Sequence, residues 1–178
     1  MRSVVVATQK FLRHKGIKYR RTEFAGVFGF VFIGTSHRFA GYVEADDDRR
    51  TVQVQTLAPV RVSRSKRWEI AELVERINDR LLFGNFELGW ETGTVASRTS
   101  ILLGEGDLQQ DVMDRLLFAN WALMDAYFPA ISAVLFGSVS PKEAIDQIKH
   151  QRADPPKKAR HNESLGGRRG DILRGSMN

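Results

Sequence analysis

Cysteine is absent from this chain of 178 residues. That removes thiol nucleophiles, disulfide staples and cysteine-based zinc sites together. Histidine is scarce. His14, His37, His150 and His161 stand without carboxylates at ligand spacing, and no His-Glu-x-x-His pattern occurs. No charge-free run approaches the ~20 residues that span a bilayer. The early Val4-Val5-Val6-Ala7 gives way to Thr8, Gln9 and Lys10, too short for a signal-peptide core. These absences predict a soluble, cytoplasmic protein with no membrane partner. Phosphate loops are missing too, since neither Gly104-Glu-Gly106 nor Gly166-Gly-Arg-Arg-Gly170 follows a strand and opens a helix at the required spacing. Asp46-Asp47-Asp48 lacks the alternating ligands, glycine and late glutamate of an EF-hand, and reads as a polar hairpin turn that repels edge pairing. No catalytic residue, metal ligand or cofactor-binding residue is assigned, and the expectation is a non-enzymatic protein without cofactor.

What the chain does contain is a long apolar segment, residues 107–136, with two stripes at helical spacing. Leu108, Val112, Leu116, Ala119, Leu123 and Tyr127 form the first, and Met113, Leu117, Trp121, Met124 and Phe128 the second. A surface helix ordinarily buries one stripe. This helix therefore lies between a sheet and other helices of its own domain, or turns its second stripe to another chain. Leu117, Trp121, Met124 and Phe128 are the expected partner or dimer contacts. Asn120 sits amid this apolar surface, so its amide must be hydrogen-bonded, most simply to fix the helix against a neighbouring loop.

Charge is segregated behind a net +6. Residues 1–67 carry 14 Lys/Arg against 5 Asp/Glu, residues 68–150 carry 6 against 13, and residues 151–178 carry 7 against 3. Either the segments fold on one another and their fields partly cancel, or the chain meets an acidic or nucleic partner. Arg61-Val-Ser-Arg-Ser-Lys-Arg-Trp68 combines four cations with an aromatic. Arg64, Lys66, Arg67 and Trp68 are candidate polyanion contacts, and equally a solvated helix entrance. The alternative function is that of a nucleic-acid-associated protein using the basic N-terminal half and tail, with weak, nonspecific nucleic-acid binding.

The periodicity orders the elements. A short helix carries Val4, Phe11 and Leu12 and stops at Gly16. Val27–Ile33 is apolar on both faces, as in a central strand covered on two sides. Strands over 38–45 and 50–56 follow at hairpin spacing, the latter alternating Val52 and Val54 with Gln53 and Gln55. Ile70, Val74, Ile77 and Leu81 mark a second helix with Ser65 as N-cap. Phe86, Leu88 and Trp90 form the buried side of a fourth strand, and residues 95–103 pair back as a fifth. Pro129 should bend or break the long helix. Ser140-Pro-Lys-Glu143 is a capping box opening a last helix, whose buried edge is Ala144, Ile145 and Ile148. From about residue 152 apolar residues are too few to offset ordering entropy, so a disordered basic tail is expected. The predicted division is a domain over 1–150 and a tail over 151–178, the domain being α+β with an antiparallel five-stranded sheet packed by helices.

Three segments resemble the YbjN-type domain, the bacterial sensory transduction regulator family: Leu57-Ala-Pro-Val60, Gly84-Asn-Phe-Glu-Leu88 and Ala119-Asn-Trp-Ala-Leu-Met-Asp-Ala-Tyr-Phe-Pro-Ala-Ile131. They occur in the family's order, and the resemblance covers roughly residues 3–137. It implies a fold similar to class I type III secretion chaperones, which bind polypeptide segments and commonly dimerise. It implies no catalytic residues. The expected function is protein binding in a chaperone-like or regulatory role, with a polypeptide partner and a possible homodimer.

Overall fold

The computed structural model describes residues 2–35 and 37–153, with side chains described through Ile148. The tail from residue 154 lies outside the described residues. Helix α1 (Val4–His14) is followed by strands β1 (Tyr19–Arg21), β2 (Val27–Ile33), β3 (Arg38–Asp46) and β4 (Thr51–Arg61). Helix α2 (Arg67–Asn78) leads to β5 (Asn85–Leu88) and β6 (Thr94–Leu102), then α3 (Gln110–Phe136) and α4 (Pro141–Ala153). The strands form one antiparallel sheet in the order β1-β2-β3-β4-β6-β5.

The α+β class with an antiparallel sheet stands as expected, but the sheet has six strands, not five. The additional strand, β1, is three residues long and charged, which gives it no period to read in the sequence. β4 is also longer than expected. It carries Leu57-Ala-Pro-Val60 as strand, with an irregular register against β6 between Leu57 and Arg61 that tolerates the exposed Pro59. Arg50 belongs to the preceding turn at φ +56° and not to the strand.

Alternation sorts the sheet into two faces. Phe28, Phe30, Phe39, Val43, Val52, Val54, Phe86 and Val95 point to one side and are buried. The helices cover that side in two connected groups. α1 and the first half of α3 close over Phe28, Val43 and Val52, while α2, α4 and the second half of α3 close over Phe39, Phe86 and Val95. Both stripes of α3 thus find partners within one chain.

Local chemistry fixes the helix ends. Ser3 caps α1, and its hydroxyl donates to Asp47 Oδ2 at 2.7 Å while the Val4 and Val5 amides donate to Asp47 Oδ1. The acidic turn between β3 and β4 therefore caps a distant helix, an anion at the positive end of the macrodipole. These bonds hold the Asp47 carboxyl below its ordinary range, the Ser3 hydroxyl contributing most. Gly16 adopts φ +65°, and Ile17 donates to the Leu12 carbonyl in a Schellman closure. The expected capping box is present, since Glu143 Oε2 accepts from the Ser140 amide and hydroxyl at 2.9 and 2.8 Å. Ser65 is not the cap of α2. It lies in a 3-10 turn, Arg64–Lys66, and its hydroxyl meets that of Ser63 at 3.0 Å. Pro129 does not break α3, which continues to Phe136 because Ala130, Ile131 and Val134 are anchored in the core while Pro129 faces solvent.

Candidate binding surface

Leu117, Met124 and Phe128, the expected partner contacts, are buried in the chain's own core. Leu117 packs with Val43 and Val52, and Met124 and Phe128 pack with residues of α2 and α4. These three are corrected as partner contacts, because a side chain covered by its own domain offers nothing to a second one. Trp121 differs from them. It is half-buried, stacked on Phe32 at 4.9 Å and edge-on to Phe30 and Phe118 at 5.6 and 5.3 Å. Its indole Nε1 is enclosed and has no acceptor among the described residues, a state that costs about 1–3 kcal/mol. Phe118, which belongs to neither stripe, is 51% exposed.

Asn120 is fully buried between α3 and the middle of the sheet. Its Nδ2 donates to the Val54 carbonyl at 3.2 Å, and its Oδ1 accepts from Thr56 Oγ1 at 2.6 Å and from Ser97 Oγ at 3.4 Å. Ser97 Oγ is also 3.3 Å from the Asn120 carbonyl, and Thr99 Oγ1 donates to the Leu116 carbonyl at 2.9 Å. The amide fixes α3 against strands β4 and β6, not against a loop, and is closed to ligands.

The second face of the sheet carries no helix among the described residues. β2 was expected to be central and covered on both sides, yet Val31 and Ile33 on this face are 59% and 69% exposed. Beside them lie Ala40 and Tyr42 of β3, with Gln53, Gln55 and Leu57 continuing across β4. The turn between β1 and β2 arches over one corner, where Phe24, Tyr42, Glu44, Gln53 and Gln55 line a groove of about 630 Å³. The edge is incomplete as well. β1 pairs with Phe28, Gly29 and Phe30 alone, so Val31–Ile33 have no strand partner on that side among the described residues. The segment is nonetheless held in place, because Asp125 of α3 accepts from the Thr35 amide and hydroxyl at 2.8 and 2.6 Å. The sequence signal for this surface was the double-sided apolar character of Val27–Ile33, which also fits a covered strand.

A separate aromatic pair stands at the start of α2. Trp68 is 75% exposed and meets Trp90 edge-on at 4.9 Å; Trp90, expected on the buried side of its strand, is 43% exposed. It falls after the end of β5, in the turn to β6, where strand alternation no longer sets its direction. Of the candidate polyanion contacts, Arg64 is exposed, Lys66 is paired with Glu69 at 2.6 Å, and Arg67 donates to the Glu91 carbonyl at 3.2 Å. The four residues are adjacent in space, but two of the three cations already have partners.

Among the described residues no group of three or more His, Asp or Glu is placed to hold a metal ion, and no helix is long and apolar enough to cross a membrane. The described residues form an α+β sandwich, one layer of helices on one antiparallel sheet. The chain belongs to the YbjN family. The family model, described as "Putative bacterial sensory transduction regulator", matches residues 9–133, more than half of the chain. The fold is similar to the crystal structure of YbjN from E. coli, described as a putative transcription regulator, with 14% identity over 84% of this chain and 97% of that one and a TM-score of 0.51. The HopA1–SchA chaperone–effector complex matches with 14% identity over 85% and 95% of the two chains and a TM-score of 0.45. Comparison with curated proteins gives no match.

The close-packed motif glycine of the family resemblance has a physical reason here. Gly84 adopts φ +78°, and a Cβ would come within 2.9 Å of the Arg98 carbonyl, Leu123 and Thr99. Only a bare α-carbon lets β5 begin beside β6 under α3. Asn78 then completes the start of β5, its side chain accepting from the Phe86 amide at 2.7 Å and donating to the Phe86 carbonyl at 3.0 Å.

Proposed function

We propose that this protein acts by binding a polypeptide, in a chaperone-like or regulatory role and without catalysing a reaction. The observation that carries this reading is the sheet face left without a helix among the described residues, where Val31, Ile33 and Tyr42 lie exposed on neighbouring strands. Clustered exposed apolar side chains mark interaction surfaces more often than isolated ones do. The family description as a sensory transduction regulator supports the same reading. Affinity capture from the native host, read by mass spectrometry, tests it when wild type is compared with an Ile33→Asp variant. A polypeptide retained by wild type and lost by Ile33→Asp is expected. Equal retention by both proteins refutes this surface, and retention of nucleic acid in place of a polypeptide refutes the reading itself.

A further inference from the structure

We propose that the free stretch of β2, Val31–Ile33, receives an extended segment of a partner polypeptide as an added antiparallel or parallel strand, and that this segment is apolar at its centre and acidic at its flanks. The proposal rests on the protein-binding reading and gives it a location and a chemistry. Backbone pairing is the first reason. β1 stops at the register position of Phe30, so the next residues of β2 leave N–H and C=O groups without a strand neighbour on that side among the described residues. Unpaired edges template further strands unless they are short, charged or covered. The β1 edge is protected in this way by Arg20 and Arg21, whereas Val31-Phe-Ile33 is apolar.

Side chains supply the second reason, because an added strand meets apolar surface on both of its faces. On the helix side lies the ledge of Phe32, Trp121 and Phe118, and on the bare side lie Val31 and Ile33. The Asp125 tether holds this half of β2 ready without β1.

Charge selects the occupant. Arg38 pairs in register with Ile33, Arg20 with Gly29, and Lys18 stands one residue before β1. All three are exposed, and none forms an ion pair among the described residues. A second copy joined edge to edge would oppose these cations to themselves, and residues 151–178 of this chain carry 7 Lys/Arg against 3 Asp/Glu. Neither complements the edge, whereas an acidic partner segment does.

The probe is a blocked nine-residue peptide of alternating valine and threonine with two glutamates at each end, titrated into the full chain at low salt. Backbone amide signals and the three tryptophan indole signals are followed by NMR, the Trp121 signal being assigned with Trp121→Phe. Shifts of Ile33 and of the Trp121 indole, with slowed exchange of the Ile33 amide, are expected. Methylating alternate peptide nitrogens should weaken binding about tenfold or more in one of the two registers. Exchanging the glutamates for lysines should weaken it by a similar factor, and so should Phe118→Asp in the protein. Equal binding of both N-methylated series or of the lysine peptide would overturn the proposal. So would concentration-dependent self-association that shifts the same signals without peptide, or single-stranded RNA shifting them where the peptide does not. If a polypeptide captured from the host instead shifts Trp68 and Trp90 and leaves Ile33 unmoved, the edge assignment falls while the protein-binding reading stands.

Discussion

Replacing Asn120 with alanine should be among the most damaging single changes in the chain. The side chain is fully buried and makes bonds to Val54, Thr56 and Ser97. Its removal leaves a hydroxyl at 2.6 Å without its acceptor and takes the donor from the Val54 carbonyl. Each buried polar group left unpaired costs about 1–3 kcal/mol, so a total of about 3–5 kcal/mol is expected. For a domain of this size that corresponds to a fall of roughly 6–20 °C in melting temperature. Urea and thermal unfolding of Asn120→Ala measure it directly. The decisive control replaces the polar cluster as a unit with Asn120→Leu, Thr56→Val and Ser97→Ala, because removing both members of a buried bond is far less costly than removing one. The triple variant should be more stable than Asn120→Ala despite carrying three changes. A loss below about 1 kcal/mol in the single variant, or purely additive losses in the triple, would refute the network as the tie between α3 and the sheet.

Trp121→Asp should destabilise the fold by about 3–5 kcal/mol, since it sets a carboxylate against Phe30 and Phe32; a folded variant that merely loses a subunit in sedimentation would restore α3 as a dimer surface. Acid should weaken the attachment of α1. The Asp47 carboxyl is held low by Ser3 and the Val4 and Val5 amides, so its contribution is present above the ordinary carboxylate pKa near ~4 and is lost as pH falls through the lowered value. In Asp47→Asn that part of the acid sensitivity should vanish from unfolding curves between about pH 5 and 2. Ending the chain after Ala153 should move stability by no more than about 0.5 kcal/mol, which calorimetry checks. Binding to single-stranded RNA should be weak, fade between ~50 and 200 mM salt and be indifferent to Trp68→Ala; tight binding that survives 200 mM salt and disappears in Trp68→Ala would make the residues around Arg64 a nucleic-acid site.

Helices and hairpins were legible wherever one local rule decided the outcome. Ser140 and Glu143 specify a capping box within four residues, and Gly16 specifies its own left-handed stop. The misreadings lie where distant contacts decide. Trp121 and Leu117 belong to one helical stripe, yet Leu117 is covered by α1 and the sheet while Trp121 reaches the margin. Periodicity orders residues around a helix axis and says nothing of where the neighbouring layer ends. The same holds for Val27–Ile33. Its two apolar faces describe a covered central strand and a strand next to a bare face equally well, and only the exposure of Val31 and Ile33 in the folded chain shows which applies. Asp47 is the clearest case, for a turn residue in its own hairpin caps a helix more than forty residues away in sequence.

The segregated charges are only partly paired with one another. Contacts between the basic first segment and the acidic second one exist, with Lys15 on Asp114 at 2.7 Å, Arg2 near Asp107 at 3.8 Å and Lys66 on Glu69 at 2.6 Å. The first two tie α1 and the residue before it to α3 and its approach, whereas the third is a local pair within the start of α2. Arg50 forms no ion pair across the two segments; its guanidinium donates to the carbonyls of Arg2, Gly104 and Gly106, and its charge helps hold the Asp47 carboxyl low. Lys18, Arg20, Arg21 and Arg38, on the other hand, are exposed and take part in no ion pair among the described residues. Pairing between the two segments is therefore partial, and Lys18, Arg20, Arg21 and Arg38 around β1 and the open half of β2 are among the exposed cations it leaves unpaired. Exposed charges contribute little to stability, but unpaired cations beside an open edge whose nearest carboxylate, Asp125, is engaged by Thr35 raise the encounter rate of an acidic segment and disfavour a second copy. Such an edge discriminates by charge before any apolar contact forms, so raising ionic strength should slow association with an acidic partner far more than it speeds dissociation.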